Sequence, residues 1–147
     1  MKLVTIDNKL LTKYYSDHEV LKKSKRPYVL ILKLKYKNNK YDFAIPFRSN
    51  IPASAPKSQY FPLPPRPQTK PNNRHGLHYI KMFPVTKGYL VRYRTEGNEF
   101  AMMINEIINK NISLIVNECQ NYLNQYEQGI KPPYATDIDK LLKLLNN

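Results

Sequence analysis

Five side chains in one stretch of the chain are of the types that hold phosphates and move protons without a metal. Arg48 and Ser49 follow an apolar run, Phe43-Ala-Ile-Pro-Phe47. His75 and His78 are separated by Gly76 and Leu77, and Lys81 lies three residues further on. Histidine titrates near neutrality, so a pair can divide general-acid and general-base work. Arginine clamps a phosphate through two parallel N–H bonds, serine can donate to or orient the scissile group, and lysine can steady developing charge. This set suits RNA cleavage by internal attack. The ribose 2′-OH attacks the adjacent phosphorus and leaves a 2′,3′-cyclic phosphate and a free 5′-OH. That reaction needs a group to take the 2′ proton, a group to protonate the leaving oxygen, and cations on the phosphoryl oxygens. Each residue also has a plainer reading. Arg48 and Ser49 fit a polar turn after a strand, either histidine fits a structural or exposed position, and Lys81 fits ordinary surface.

The setting of these residues favours a polyanion. Residues 43–95 contain nine Lys or Arg (Arg48, Lys57, Arg66, Lys70, Arg74, Lys81, Lys87, Arg92 and Arg94) and no Asp or Glu. Cations without an internal counter-charge repel one another, and a nucleic acid neutralises them. Arg26 and Tyr28, at the entry to a strand, and Lys33 and Lys35, which alternate along it, extend the set of candidate RNA contacts. Within the basic stretch Lys57, Arg66, Lys70, Arg74, Arg92 and Arg94 are the others. Lys33, Lys35 and Lys37 also read as a solvated strand face. The 147 residues carry a net charge of +13, with twelve Tyr and no Trp. Tyrosine offers a stacking face and a phenol donor, both useful against RNA.

Several classes are disfavoured. The eleven carboxylates lie towards the two ends of the chain, and no pair falls at a metal-nuclease spacing. A magnesium-dependent mechanism is disfavoured, and no metal or other cofactor is expected. A metal site on His75 and His78 needs a third ligand, and none is nearby. There is no Gly-rich phosphate loop, GxSxG or HExxH. The single cysteine, Cys119, permits no internal disulfide and fits a reducing cytoplasm. No apolar run approaches the ~20 residues of a membrane span. The opening residues turn charged at Asp7 before a signal-like apolar region develops.

The elements that must position these groups follow from periodicity. Residues 2–6 alternate as a strand, and Asp7 can cap a helix over 8–16. Residues 17–27 read as a polar loop. Residues 28–36 and 41–47 form a hairpin turning at Asn38 and Asn39. Eight prolines between 46 and 71 predict that this segment holds neither a central strand nor a helix. Its PxxP spacing, Pro62-Leu-Pro-Pro-Arg-Pro67, fits a stiff surface loop or an SH3-like ligand. Residues 75–84 read as a turn leading into a strand, and 87–94 as another strand. Helical spacing from Phe100 to Tyr126 predicts a long helix over 98–127, with a break near Asn111. A last amphipathic helix covers 137–145. Strands first and helices last argue for one α+β domain over 1–147. It has an antiparallel, partly closed, barrel-like sheet with a long C-terminal helix and shorter flanking helices, packed on one side or at one end.

At these residues the sequence resembles the toxins of type III toxin–antitoxin systems, the ToxN/AbiQ group and especially its TenpN-like branch. The opening strand Met1-Lys-Leu-Val-Thr-Ile6 resembles the group's first strand. The hairpin Tyr28-Val-Leu-Ile-Leu32 with Tyr41-Asp-Phe-Ala-Ile-Pro-Phe-Arg-Ser-Asn50 resembles a strand pair ending in a catalytic turn. The block His75-Gly-Leu-His-Tyr-Ile-Lys81, then a strand and a long helix, resembles the group's second half. The resemblance implies an endoribonuclease held inactive by repeated, pseudoknotted antitoxin RNAs. The toxin cuts these from a longer transcript, and the two form closed protein–RNA assemblies, often in abortive phage defence. Its other substrates would be cellular or phage RNA. Ser49 falls on the group's serine, and Arg48 stands where ToxN has threonine. Ile51 stands where ToxN has a catalytic lysine, a role left open to Lys57 or Lys81. Arg26 falls near a second family lysine. Two readings compete with the toxin: a non-catalytic RNA- or DNA-binding protein with the same basic face, and an adaptor that recruits a partner through its proline loop.

Overall fold

The computed structural model describes residues 2–21, 28–92 and 97–147. The hairpin of β2 (Tyr28–Tyr36) and β3 (Asn39–Ile51) is its centre. Side chains alternate across a strand, so Leu30, Leu32 and Leu34 enter one core while Val29 and Ile31 enter another. The hairpin turns on Lys37 and Asn38, whose φ values of 49° and 67° are the left-handed pair a two-residue turn requires. The turn sits one residue earlier than Asn38 and Asn39, and the Lys37 backbone N–H donates to the Glu127 carboxylate there.

Among the described residues seven antiparallel strands run in the order β4-β5-β3-β2-β1-β7, with β6 also on β3. The others are β1 (Lys2–Ile6), β4 (Tyr60–Leu63), β5 (Arg74–His78), β6 (Phe83–Val85) and β7 (Leu90–Arg92). The fold is α+β as expected, but the sheet is not closed into a barrel: β4 and β7 remain its two ends. The helices also differ from expectation in covering both faces. Beneath one face lie α2 (Glu99–Lys110) and α3 (Ile112–Glu127), which bury Ile104, Ile108, Ile115, Cys119 and Leu123. Beneath the other lie α1 (Asn8–Lys13) and α4 (Ile138–Leu145), through Leu10, Leu11 and Leu141. The expected break at Asn111 separates α2 from α3, and the Asn111 side chain donates to the Ile107 carbonyl. Asp7, Asn98 and Asp137 cap their helices by accepting backbone N–H groups.

The proline-rich segment behaves differently from its expectation. Pro46 lies inside β3, a central strand, paired with Val29. On its other edge β3 pairs with β6 over 42–44 and with β5 from 47 onward, so Pro46 occupies the gap between partners. A residue without an N–H is tolerated there. Pro62 sits in β4, at the end of the sheet. The expected strand over 87–94 is a 3-10 turn (Lys87–Tyr89) followed by β7, and positions 93 and 94 lie outside the described residues.

On the free edge of β2, the Lys35 N–H donates to Gln120 Oε1 (2.9 Å) and the Lys35 carbonyl accepts from Gln120 Nε2 (2.8 Å). Between β3 and β4 the packing is tight at Gly76, where a Cβ would stand 2.3 Å from the Phe61 carbonyl oxygen. Gly76→Ala therefore forces β4 away from β5. We expect a loss of about 1–3 kcal/mol in urea unfolding, and an unchanged midpoint would refute this account of Gly76.

Candidate active site

The site is built on a fault in the β3–β5 ladder. Phe47 pairs with Leu77 and Arg48 with Gly76, but the next pair is Ile51 with Arg74. Ser49 and Asn50 thus stand together against His75 alone. This is a β-bulge, a device that kinks a strand and re-aims its side chains. Asn50 uses the kink to hold the proline loop. Its Oδ1 accepts from the Lys70 N–H (2.8 Å) and Asn73 Nδ2 (3.3 Å), and its Nδ2 donates to the Gln68 carbonyl (3.1 Å). Ser49 stays half-exposed beside it.

His75 faces the bulge with 3% of its surface exposed. Its Nδ1 donates to the Pro64 carbonyl at 2.8 Å, so the lone pair of the neutral ring lies on Nε2. Burial lowers the pKa of His75, the Pro64 bond opposes that, and the Arg66 charge lowers it further. The ring is therefore neutral at pH 7, the form that can accept a proton. It lies 6.2 Å from the Phe47 ring and 6.2 Å from that of Phe100, and Phe47 in turn stacks on Tyr28 at 4.5 Å and 6°. Tyr28, Phe47, His75 and Phe100 form one aromatic row from β2 across β3 and β5 to α2.

Arg48, half-buried, and His78 and Lys81, both buried, belong to a second group on the opposite face. Arg48 Nη1 lies 3.4 Å from His78 Nδ1. Arginine only donates, so Nδ1 accepts and Nε2 carries the proton, buried and without a partner among the described residues. Burial first, then the charges of Arg48 and Lys81, push the His78 pKa down to about 3. Lys81 is 4% exposed, with Nζ on Glu19 Oε1 (2.9 Å) and on the Tyr134 carbonyl (2.8 Å). It is committed to the interior, and its three donors do not face solvent as a phosphate contact would require. Asp17, also buried, accepts the backbone N–H groups of Glu19 and Asp137 and so ties this cluster to the start of α4.

The expected RNA contacts scatter. Arg66 and Lys70 are exposed on the loop that Asn50 and His75 pin, Arg74 is exposed opposite Ile51, and Lys57 opens the 3-10 turn Lys57–Gln59. Tyr28 joins the aromatic row. Arg92 falls in the cross-strand row Arg92–Val4–Val29–Pro46, three strand spacings or about 14 Å from β3. Lys33 and Lys35 do not join them. They pair with Asp42 and Lys40, six and eight residues before Arg48, or about 20 and 27 Å of strand. Lys33 also lies 4.0 Å from Asp42. Arg26 and Arg94 lie outside the described residues. Ile51, in the place of the family lysine, is fully buried.

Sequence reasoning missed Asn50 as the loop anchor, Glu19 as the half-buried partner of Lys81, Asp17 as a buried backbone acceptor, and Phe47 and Phe100 as neighbours of His75. Phe47 was within reach, since strand alternation puts it on the side of Ile45. Nothing in the sequence marks Glu19. Among the described residues no group of three or more His, Cys, Asp or Glu gathers to hold a metal, and no helix is long and apolar enough to cross a membrane.

The state of His78 has a consequence for stability. Its pKa is about 3 when folded, against an ordinary value of about 6.5, so its contribution is full above pH 6.5 and is lost as pH falls towards 3. His78→Gln keeps an acceptor for Arg48 and removes the titration. Between pH 6.5 and 4 the unfolding free energy of this variant should fall less steeply than wild type, by up to about 1.4 kcal/mol per pH unit. Equal slopes would contradict a buried neutral His78.

No protein-family model matches the chain, and no curated protein is similar in sequence. The solved structures similar in fold include these two. One is a chain from a bacterial antiviral system regulated by a processed non-coding RNA: TM-score 0.74, 16% identity, covering 99% of this chain and 98% of that one. The other is AbiQ, a lactococcal anti-phage endoribonuclease of the type III toxin–antitoxin system: TM-score 0.76, 14% identity, covering 99% of this chain and 95% of that one. The chain thus has, over almost its whole length, the fold expected from its resemblance to the ToxN/AbiQ group.

Proposed function

We propose that this protein is a metal-independent, sequence-selective endoribonuclease, the toxin of a type III toxin–antitoxin system. An antitoxin RNA of pseudoknotted repeats restrains it in a closed protein–RNA assembly. The toxin processes that RNA from a longer transcript, and cutting of cellular or phage RNA gives phage defence. The general function is supported by the shared fold, which is also that of an anti-phage endoribonuclease and of a chain from an RNA-regulated antiviral system. The observation that carries the chemistry is the bulge that sets Ser49 against a neutral, oriented His75.

In this reading His75 Nε2 takes the 2′ proton as the 2′ oxygen attacks phosphorus. The P–O5′ bond breaks, and the leaving oxygen takes a proton from solvent. Ser49 donates to a phosphoryl oxygen. Arg48, next to Ser49 in the chain, supplies a fixed positive charge, and His78 holds its guanidinium as a neutral acceptor. Arg66 and Lys70 follow the RNA backbone, and Tyr28 offers a ring for stacking. Lys81 braces the interior behind Arg48.

The deciding experiment incubates purified protein with end-labelled RNA in excess EDTA and analyses the product ends. We expect discrete fragments with cyclic phosphate and 5′-OH termini; binding without cutting by protein freed of co-purified RNA would reject the enzyme in favour of a binding protein. Ser49→Ala should slow cleavage about 10²–10³-fold, and His75→Gln about 10²–10⁴-fold. Both should relieve growth inhibition while the unfolding midpoint of Ser49→Ala stays near wild type. Full toxicity in both variants would remove them from the site.

A further inference from the structure

Away from the bulge, a cleft of about 500 Å³ opens between the Lys57–Gln59 turn, α3 and residues 130–133. Its size is that of a small-ligand pocket. Glu118, Asn121, Tyr122 and Gln125 are spaced along one face of α3 and line it, with Ser58 and Gln59 opposite. Three of these are carboxamides, each with two donors and an acceptor. Ile130, Pro132 and Pro133 supply an apolar wall. The charges are one of each sign, Lys131 and Glu118, and Glu118 already accepts from the Tyr79 hydroxyl. A phosphate site would carry a surplus of cations, whereas paired donors and acceptors between apolar walls match the edges and faces of a base.

A second observation points the same way. The Tyr122 hydroxyl is buried and has no hydrogen-bond partner among the described residues. Burial and the neighbouring Tyr126 raise its pKa, so it stays a protonated donor. A buried donor left unmade is costly, and a ligand acceptor would satisfy it. The far wall is also pre-formed. Gly129, at φ 94°, ends α3 in a Schellman motif, with Gly129 N–H on the Tyr126 carbonyl (3.0 Å) and Ile130 N–H on that of Gln125 (2.9 Å).

We propose that this cleft is a base-reading subsite that takes one unpaired nucleobase of the bound RNA. The proposal rests on the reading above that the partner is RNA. Gln59 immediately precedes β4, and Leu63, at the other end of β4, pairs with His75. That is four residues of strand, about 13 Å, so one RNA strand can occupy the subsite and the bulge together. Lys57 stands at the start of the same turn, as a cation for the backbone of the nucleotide being read. Sequence selectivity would then come from neutral amides, and affinity from the basic loop.

The test measures binding of hexanucleotides of A, C and U to Ser49→Ala protein, which keeps the cleft intact. One base should bind about tenfold tighter than another, the worth of one good bidentate contact. Gln59→Ala, Gln125→Ala and Tyr122→Phe should each shrink that spread to about twofold, with the salt dependence of binding unchanged because phosphate contacts remain. Tyr122→Phe removes only an unpartnered hydroxyl, so its fold serves as the control. No spread in the parent, or the same spread in all three variants, would overturn the subsite. So would AMP binding as tightly as the A hexamer, which would make this a free-nucleotide site. Cutting by wild type without any spread sinks the subsite alone. A spread that the variants erase, in a protein that never cuts, sinks the ribonuclease reading and leaves the subsite standing.

Discussion

β3 must satisfy two partners on one edge that do not share a register, and the other features of the site follow from that constraint. β6 takes residues 42–44 and β5 takes 47–51, with Pro46 between them. A strand that changes partners bends, and the extra residue in its second half absorbs the mismatch as the bulge at Ser49 and Asn50. Beyond it, β5 packs Gly76 against the Phe61 carbonyl of β4. The bend puts consecutive residues to separate uses: Phe47 joins the aromatic row beside His75, Arg48 enters the buried polar group, and Asn50 grips the loop.

The electrostatics repeat this division. Residues 43–95 contain no acid, yet their most buried lysine is neutralised by Glu19, from a segment before β2. The Lys81 ammonium also holds the carbonyl of Tyr134, whose φ of 66° is unusual for a bulky residue. Asp17 binds the backbone at the start of α4. The buried Lys81 of the basic stretch is thus neutralised by a carboxylate from outside it, and the loop cations Arg66 and Lys70 are left exposed for a polyanion.

The strands and helices were legible where one period dominates. The alternation of β2 and the helical spacing from Ile104 to Tyr126 gave elements close to those observed, including the break at Asn111. Proline misled the reading, because a missing N–H forbids a central strand only where a ladder bond is due, and Pro46 sits where none is. The site was legible as residue types. Arg48, Ser49 and His75 are adjacent in the ladder, but which histidine faces the bulge depends on register, and a single shift exchanges the two faces. Lys81 looked like a surface cation, since its partner Glu19 lies 62 residues away in sequence. The lysines of β2 are real surface charges at the wrong end of a long strand.

The contact between Gln120 and Lys35 has a meaning for association. Beyond Ile31, the last residue paired with β1, the edge of β2 would present bare N–H and C=O groups to any extended chain. The carboxamide of Gln120 takes both groups of Lys35, and the Glu127 carboxylate takes the next N–H on the same side, that of Lys37. One face of α3 thus imitates a neighbouring strand with side chains. That edge cannot recruit a second copy by strand addition, so sheet-to-sheet aggregation is blocked there even though the sheet itself is open.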